Sequence, residues 1–343
     1  TNANGAKRMK VSTNKFIEKE TSLFVKYYHE ELINNFSFSF VLGVWKDVRK
    51  ADVIYIQYLF HYTVFFSLIF SLIQAKKIFI CPRGSLSKFT LSNRLPLIKR
   101  LWLKLLIRPF HNFINWHASS YLEKDDIKRV FVNAKVDIIN DGIEFEYFQN
   151  FEALNRIELV RRYTQHDFNH VSHIFFSMGR LHKIKCFDIL IDAFRIFSNN
   201  YKGAKLLIAG GDDGMEQILR NQIVHLGLED TVFLIGPVDR NNKKILLNNC
   251  DYFALASEFE SFGIVVAEAL ACGRPTLLSN KTPWIDLEIN KCGILVNNDV
   301  NSFLDGFSQV LEIDYDSDNI RDYVRSKYDW DVIAKSFAES INK

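Results

Sequence analysis

Cysteine is scarce and scattered in this chain. Cys81, Cys186, Cys250, Cys272 and Cys292 are odd in number and form no Cys-x-x-Cys pair. This pattern argues against a disulfide framework or a zinc ribbon and fits a reducing cytoplasm. The nine histidines have no metal-ligand spacing; His166, His170 and His173 come nearest, in a polar stretch that reads as a loop, so no metal is expected. Thr1–Glu20 has no apolar run, so no secretory leader is expected there. No low-complexity tract breaks the chain. The most uneven absence is of acid: residues 53–122 contain neither Asp nor Glu, yet hold Lys76, Lys77, Arg83, Lys88, Arg94, Lys99, Arg100, Lys104 and Arg108.

What is present is ample apolar material. At 343 residues and 48% hydrophobic content the chain can bury large cores, and its length favours two domains of about 150 residues each. The net charge of +3 divides into +9 over residues 1–150 (22 Lys+Arg, 13 Asp+Glu) and −6 over the remainder (21 against 27). The first half should therefore face something anionic.

Residues 53–75 are uncharged over 23 positions, long enough to span a bilayer. Gln57, His61, Ser67, Ser71 and Gln74 interrupt the run, and its start is rich in strand formers, which favours a buried strand at 53–59, a helix at 63–75 and a strand at 77–81. Further strands are expected at 38–44, 115–119 and 136–139, with helices at 7–34, 95–106 and 121–132. In the second half, strands at 173–177, 205–209, 232–235, 252–256, 276–279 and 294–296 alternate with helical stretches including 187–197, 214–226 and 241–248. Such alternation specifies parallel sheets covered by helices on both faces, with ligands at the carboxyl ends of the strands. The expected organisation is two doubly wound domains, 1–147 and 148–322, with a last helix at 323–343 and the active site in the cleft between the domains. Thr1–Gly5 reads as a glycine-containing loop that has lost its preceding strand.

Two acids separated by seven residues, Glu260 and Glu268, mark the chemistry. Apart from Glu268, residues 262–272 contain only Phe, Gly, Ile, Val, Ala, Leu and Cys, so a helix there is buried all round. A carboxylate on such a helix must take up a proton or find hydrogen-bond donors. A hidden Lys or Arg would serve, and so would sugar hydroxyls. Glu260 alone reads as a loop acid in water. The helix start at Phe262, Gly263 and Ile264 follows a strand, so its unpaired N–H groups form a seat for a diphosphate, which Gly263 lets approach the backbone. Gly179-Arg180-Leu181, with Lys185, lies between a strand and a helix. Taken alone it is a solvated basic loop; beside that helix start it suits a phosphate-bearing ligand, Arg180 through its planar fork and Lys185 as a point charge.

Together these residues resemble the family 4 retaining glycosyltransferases, which have the two-domain GT-B fold. The family pattern of Glu, seven residues, Glu, then Gly-x-Pro matches from Glu260 to Pro275. The Gly-Arg-Leu…Lys-Gly element matches Gly179–Leu181 and Lys185, with Cys186 where Gly is usual. Weaker likeness covers the segments ending at Gly211, Pro237 and Val296. Tyr55 stands where an Asp-x-x-His strand has His, Pro82–Leu86 resembles the Pro-Arg-Gly loop of a polysaccharide-synthesising subgroup, and Asp141 replaces an Asn. Trp330 resembles the Trp that opens a last helix returning to the first domain.

The resemblance implies retaining transfer of a sugar from a nucleotide diphosphate donor, such as a UDP-sugar, to a glycan or lipid-linked acceptor in bacterial surface-polysaccharide assembly. Glu268 would accept from the ribose and Glu260 from the transferred sugar. Arg180 and Lys185 would neutralise the leaving diphosphate, helped by the amides of 262–264. Gly179 and Gly211 would line the donor site, and Pro237 and Val238 would sit against the base. Gly5, Arg83 and Gly84 are weaker candidates for cleft contacts. No cofactor is implied beyond the donor substrate. The alternatives are a nucleotide-sugar epimerase on the same fold, which would act without an acceptor, and a silent sugar-nucleotide-binding protein. Nucleic acid is not an expected partner, because the cations lie among aliphatic residues without a recognition module. Residues 95–108 read either as a helix packed on its sheet or as one lying on an anionic membrane surface, which would make the protein peripheral at the inner face of the membrane.

Overall fold

The computed structural model describes residues 3–4, 7–31 and 36–342. Contacts divide the chain into two units, Thr1–Ile139 and Asn140–Lys343.

In the first unit four parallel strands lie in sequence order, Val53–Gln57, Lys77–Cys81, Asn115–Ala118 and Lys135–Ile138. Their core gathers Ile56, Leu68, Ile80, Trp116 and Ile127. The uncharged run divides as expected into a strand and the helix Tyr62–Ile73, and no helix among the described residues is long and apolar enough to cross a membrane.

Two expectations in this unit fail. The segment 38–44, rich in Phe and Val, is not a strand but the start of the helix Phe38–Lys50. Ser37 caps it by accepting from the Phe40 N–H at 2.9 Å, and the Glu31 carboxylate accepts from the Phe38 and Ser39 N–H groups, so the end effects outweigh β propensity. The helix expected over 7–34 is instead extended where described. Phe16–Glu20 and Leu23–Lys26 form an antiparallel hairpin, tied to the new helix where Lys26 and Tyr28 both donate to Asp47. In addition, the helix expected at 95–106 runs as Pro96–Trp102 and then widens into a π-helical turn, Leu103–Ile107.

The second unit follows its pattern closely. Six strands, all parallel, stand in the spatial order Val232–Gly236, Lys205–Ala209, Ile174–Met178, Tyr252–Leu255, Thr276–Ser279, Gly293–Val296. Alternate residues of each strand serve opposite faces. Phe176, Leu207 and Phe253 join one core with Val266, Leu270 and Val324, while Phe175, Leu206 and Ala254 join the other with Leu190, Phe194 and Phe307. Sequence order reverses between Ile174–Met178 and Tyr252–Leu255, the neighbouring strands from which the chain winds outward both ways. Ligands bind at the carboxyl ends of strands at such a switch point.

The last helix runs Trp330–Asn342 and begins at Trp330, as its motif implied, and not at 323, because 323–328 completes the preceding helix Ser317–Tyr328. Trp330 lies flat against Gly142, where a Cβ would come within 2.5 Å of the indole, and the Trp330 N–H donates to the Ile143 carbonyl at 3.1 Å.

Candidate active site

Two loops leave the switch point, Gly179–Lys185 and Ala256–Gly263, and Lys185 and Glu260 join them. The Lys185 ammonium donates to Glu260 Oε1, and the Ser257 hydroxyl donates to the same oxygen at 2.6 Å. Both side chains are largely buried, at 15% and 12% exposure, so the pair is held in a low-dielectric pocket and is not a surface ion pair. A backbone bond from the Glu258 N–H to the Ile184 carbonyl, 2.8 Å, fixes the loops to each other. Gly179 packs closely on this pair, since a Cβ there would meet the Lys185 stem at 3.1 Å and press the lysine aside. The sequence reading of Glu260 as a lone loop acid is therefore replaced: its carboxylate has two donors.

Cys186, the departure from the Gly pattern, occupies a left-handed conformation with φ +48°. The position favours Gly because any Cβ is crowded there. The cysteine keeps the turn, with its thiol hydrogen-bonded to the Lys183 carbonyl at 3.4 Å.

The buried helix is Ile264–Ala271, shorter at both ends than residues 262–272, and Gly263 precedes it in the left-handed region at φ +83°. No side chain of the N-cap residue caps its first turn; the Val266 N–H donates to the Gly263 carbonyl at 2.9 Å, which leaves the amides of Ile264 and Val265 at the helix start without an intrahelical acceptor. Phe262 contributes only backbone to this edge: its ring is buried against Trp284 and Tyr328, and its carbonyl accepts the Trp284 indole N–H at 2.9 Å. Ile264 is exposed beside it.

Glu268, four residues into this helix, is buried and paired with Lys243, of the helix Arg240–Asn249. Burial pushes its carboxyl above the ordinary range, and Lys243 and Arg240 only partly counter that. Its second oxygen, Oε2, is buried and meets no donor among the described residues. Lys243 was not singled out from the sequence; the requirement for a hidden cation was its only trace there.

The remaining second-unit residues come to the same sheet edge. Gly211 follows the strand Lys205–Ala209 and borders open space, whereas at Gly210 a Cβ would strike the Gly179 carbonyl at 1.8 Å. Pro237 and Val238 follow Val232–Gly236, the first exposed and the second half-buried. Arg180 is exposed and pairs with Asp213.

In the first unit Arg83 and Gly84 follow the strand Lys77–Cys81, both with positive φ, +51° and +74°. The Gly84 N–H is already used, donating to Glu123 Oε1 at 2.6 Å, while the Ser119 N–H and hydroxyl donate to Oε2 at 2.8 and 2.7 Å. Glu123, only 1% exposed, thus organises this loop, and nothing in the sequence marked it. Tyr55, which replaces a family His, bonds His117 Nδ1 at 2.6 Å; His117 Nε2 donates to the Ile139 carbonyl at 2.6 Å, which leaves Nδ1 to accept from the Tyr55 hydroxyl. Gly5 lies outside the described residues. Among the described residues no group of three or more His, Cys, Asp or Glu side chains is placed to hold a metal ion.

Residues 163–327 match the family described as "Glycosyl transferases group 1". Among curated proteins the chain is similar to an uncharacterized glycosyltransferase of Methanocaldococcus jannaschii, 31% identical over 61% of this chain and 53% of the relative. It is also similar to the GDP-mannose:cellobiosyl-diphosphopolyprenol alpha-mannosyltransferase of Komagataeibacter xylinus, 24% identical over 70% of this chain and 59% of that one. In both, the match spans less than two thirds of the relative. Among solved structures, Anabaena Alr3699/HepE in complex with UDP aligns over 88% of this chain and 81% of its own, at 20% identity and TM-score 0.72. Sucrose-phosphate synthase of Thermosynechococcus elongatus aligns over 95% and 84%, at 16% identity and TM-score 0.70. The fold is accordingly GT-B, with Rossmann-like domains, as the motifs implied.

Proposed function

We propose that the chain transfers a sugar from a nucleotide diphosphate donor to a glycan or lipid-linked acceptor, with retention of configuration, in cell-surface polysaccharide assembly, a reading supported by the match of residues 163–327 to the group 1 glycosyl transferases. The observation that carries the reading is the buried Lys185–Glu260 pair at the switch point, beside an uncapped helix start. In this reading the diphosphate lies on the amides of residues 262–264 and takes the Lys185 ammonium as counter-charge, with Arg180 turning from Asp213 to a second phosphate oxygen. Glu260, released from part of its bond to Lys185, accepts from hydroxyls of the transferred sugar. Glu268 Oε2, short of a donor, accepts from the ribose, and Pro237 and Val238 border the base.

Retention follows from same-face attack, the leaving phosphate taking the acceptor's proton; no protein base and no metal is assigned a step. Arg83 remains a candidate for a donor or acceptor contact, while Gly84 acts through backbone shape, its amide being occupied. The Anabaena Alr3699/HepE complexes with UDP and with UDP-glucose support a UDP-sugar, and the mannosyltransferase named for GDP-mannose supports a guanine donor equally. A cytoplasmic location suits a nucleotide-sugar donor and the free thiols.

The test is a thermal-shift panel of UDP-, GDP- and ADP-sugars on the full chain, since a ligand of the folded state raises the midpoint. One nucleotide series should raise it and the free sugars should not. No shift with any member would reject the donor site.

A further inference from the structure

Residues 95–108 divide into three stripes. Leu103 and Ile107 are buried in the first unit's core. Leu97, Leu101 and Leu105, spaced by four and therefore aligned along the helical segment, are 76%, 56% and 55% exposed, with Leu95 and Ile98 exposed beside them. Arg100, Lys104 and Arg108, also spaced by four, form the adjoining stripe. They line a cavity of about 360 Å³ with Arg129, over a floor that includes Leu103 and Phe131.

Among the described residues no acid pairs with the cations of this stripe, and their neighbours are already engaged. Arg129 is committed, donating to Asp126 and to the Leu86 carbonyl at 2.6 Å each, and Lys99 donates to the Thr90 and Asn93 carbonyls. Arg100, Lys104 and Arg108 have no ion-pair partner among the described residues. Residues 53–122 are free of acid, and Asp126 is already taken by Arg129.

We propose that this face docks on an anionic phospholipid surface, Leu97, Leu101 and Leu105 entering the headgroup boundary while Arg100, Lys104 and Arg108 take lipid phosphates at the mouth of the cavity. Charge and shape together select this occupant. A nucleic acid would pair with the cations but leave the leucine stripe in water, and so would free phosphate. A lipid surface satisfies both stripes at once, because apolar burial and phosphate pairing occur at the same depth. The π-helical turn at Leu103–Ile107 lies where the two outer stripes meet the buried one. The surface is independent of sugar transfer, so donor binding and membrane binding can fail separately.

The experiment is co-sedimentation of the full chain with phosphatidylcholine vesicles, with and without phosphatidylglycerol as a minor component. Wild type should sediment with the anionic vesicles and remain in solution with the neutral ones. The variant Arg100→Gln, Lys104→Gln, Arg108→Gln should lose partitioning by on the order of a hundredfold. The variant Leu97→Ser, Leu101→Ser, Leu105→Ser should lose the fraction that resists high salt. Both variants change only exposed positions, and their circular dichroism and thermal midpoints should match wild type. Equal sedimentation with neutral and anionic vesicles, or a charge variant that binds like wild type, would overturn the proposal. So would inorganic phosphate that displaces the protein where chloride of equal ionic strength does not. Wild type that ignores vesicles but forms a dimer dissolved by the serine substitutions would assign the face to a second copy of the chain.

Discussion

The two glutamates carry the same charge in different settings, and their substitutions should separate. Glu260 is held by Lys185 and Ser257 and is the group proposed to face the transferred sugar. Glu260→Gln should lower turnover by about a hundredfold or more while nucleotide affinity changes by less than about threefold, read by steady-state kinetics and nucleotide titration. Glu268→Gln should do the reverse, weakening nucleotide binding by about tenfold, the worth of one charge-assisted hydrogen bond. Wild-type behaviour in both variants would reject the donor assignment. The pH dependence follows from the raised Glu268 pKa. Because the folded chain favours the protonated form, this group's contribution to stability is present below the ordinary carboxylate range and fades as pH rises through the raised value. Donor affinity, which needs the carboxylate, should fall with acidification through that same value, sooner than for an exposed Glu. Titrating nucleotide affinity against pH in wild type and Glu268→Gln checks this, and only wild type should show the step. Cys186 tests backbone shape: Cys186→Gly removes a left-handed Cβ, and after the glycine's greater unfolded-state entropy the net gain should be up to about 1 kcal/mol in urea denaturation.

At the scale of elements, local pattern and tertiary setting divided the work unevenly. In the second unit the inner strands Ile174–Met178 and Lys205–Ala209 are short, mainly apolar runs between polar turns, buried at nearly every residue, and such runs suit the interior of a parallel sheet. They were legible for that reason. The segments 7–34 and 38–50 were not, because their outcome depends on end effects and partners: Ser37 and Glu31 start a helix that Val and Phe alone would disfavour, and Asp47 fastens the hairpin to it. The helix start at Gly263 was legible to within two residues, since Gly before an apolar run marks a boundary, although the left-handed geometry was not. Gly263→Ala should cost about 1–2 kcal/mol through that geometry and weaken nucleotide diphosphates more than nucleosides, because the leading amides shift. Calorimetric titration with UDP and uridine, or the guanine pair, distinguishes this from simple destabilisation, which would weaken both alike.

At the scale of the molecule, the two units have separate cores. Both clusters of the second unit draw only on residues from Ile143 onward, and the first unit's cluster ends at Val136. A fragment of residues 140–343 should therefore unfold cooperatively and keep the thermal shift given by the preferred nucleotide, with transfer activity lost. An unfolded fragment, as judged by circular dichroism, would show that the second core depends on the first unit. The sequence by itself determined the parallel α/β class and the strand ends of the second unit, because periodicity along one chain encodes these features, and the buried setting of Glu268; Arg180, Lys185 and Glu260 became candidates through the family resemblance. Only the tertiary structure decided who pairs with whom. Lys243 meets Glu268 across 25 positions, Lys185 meets Glu260 across 75, and Glu123 meets the Gly84 amide across 39. Such pairings are made by packing distant segments together, and a buried charge accepts whichever partner that packing brings within reach.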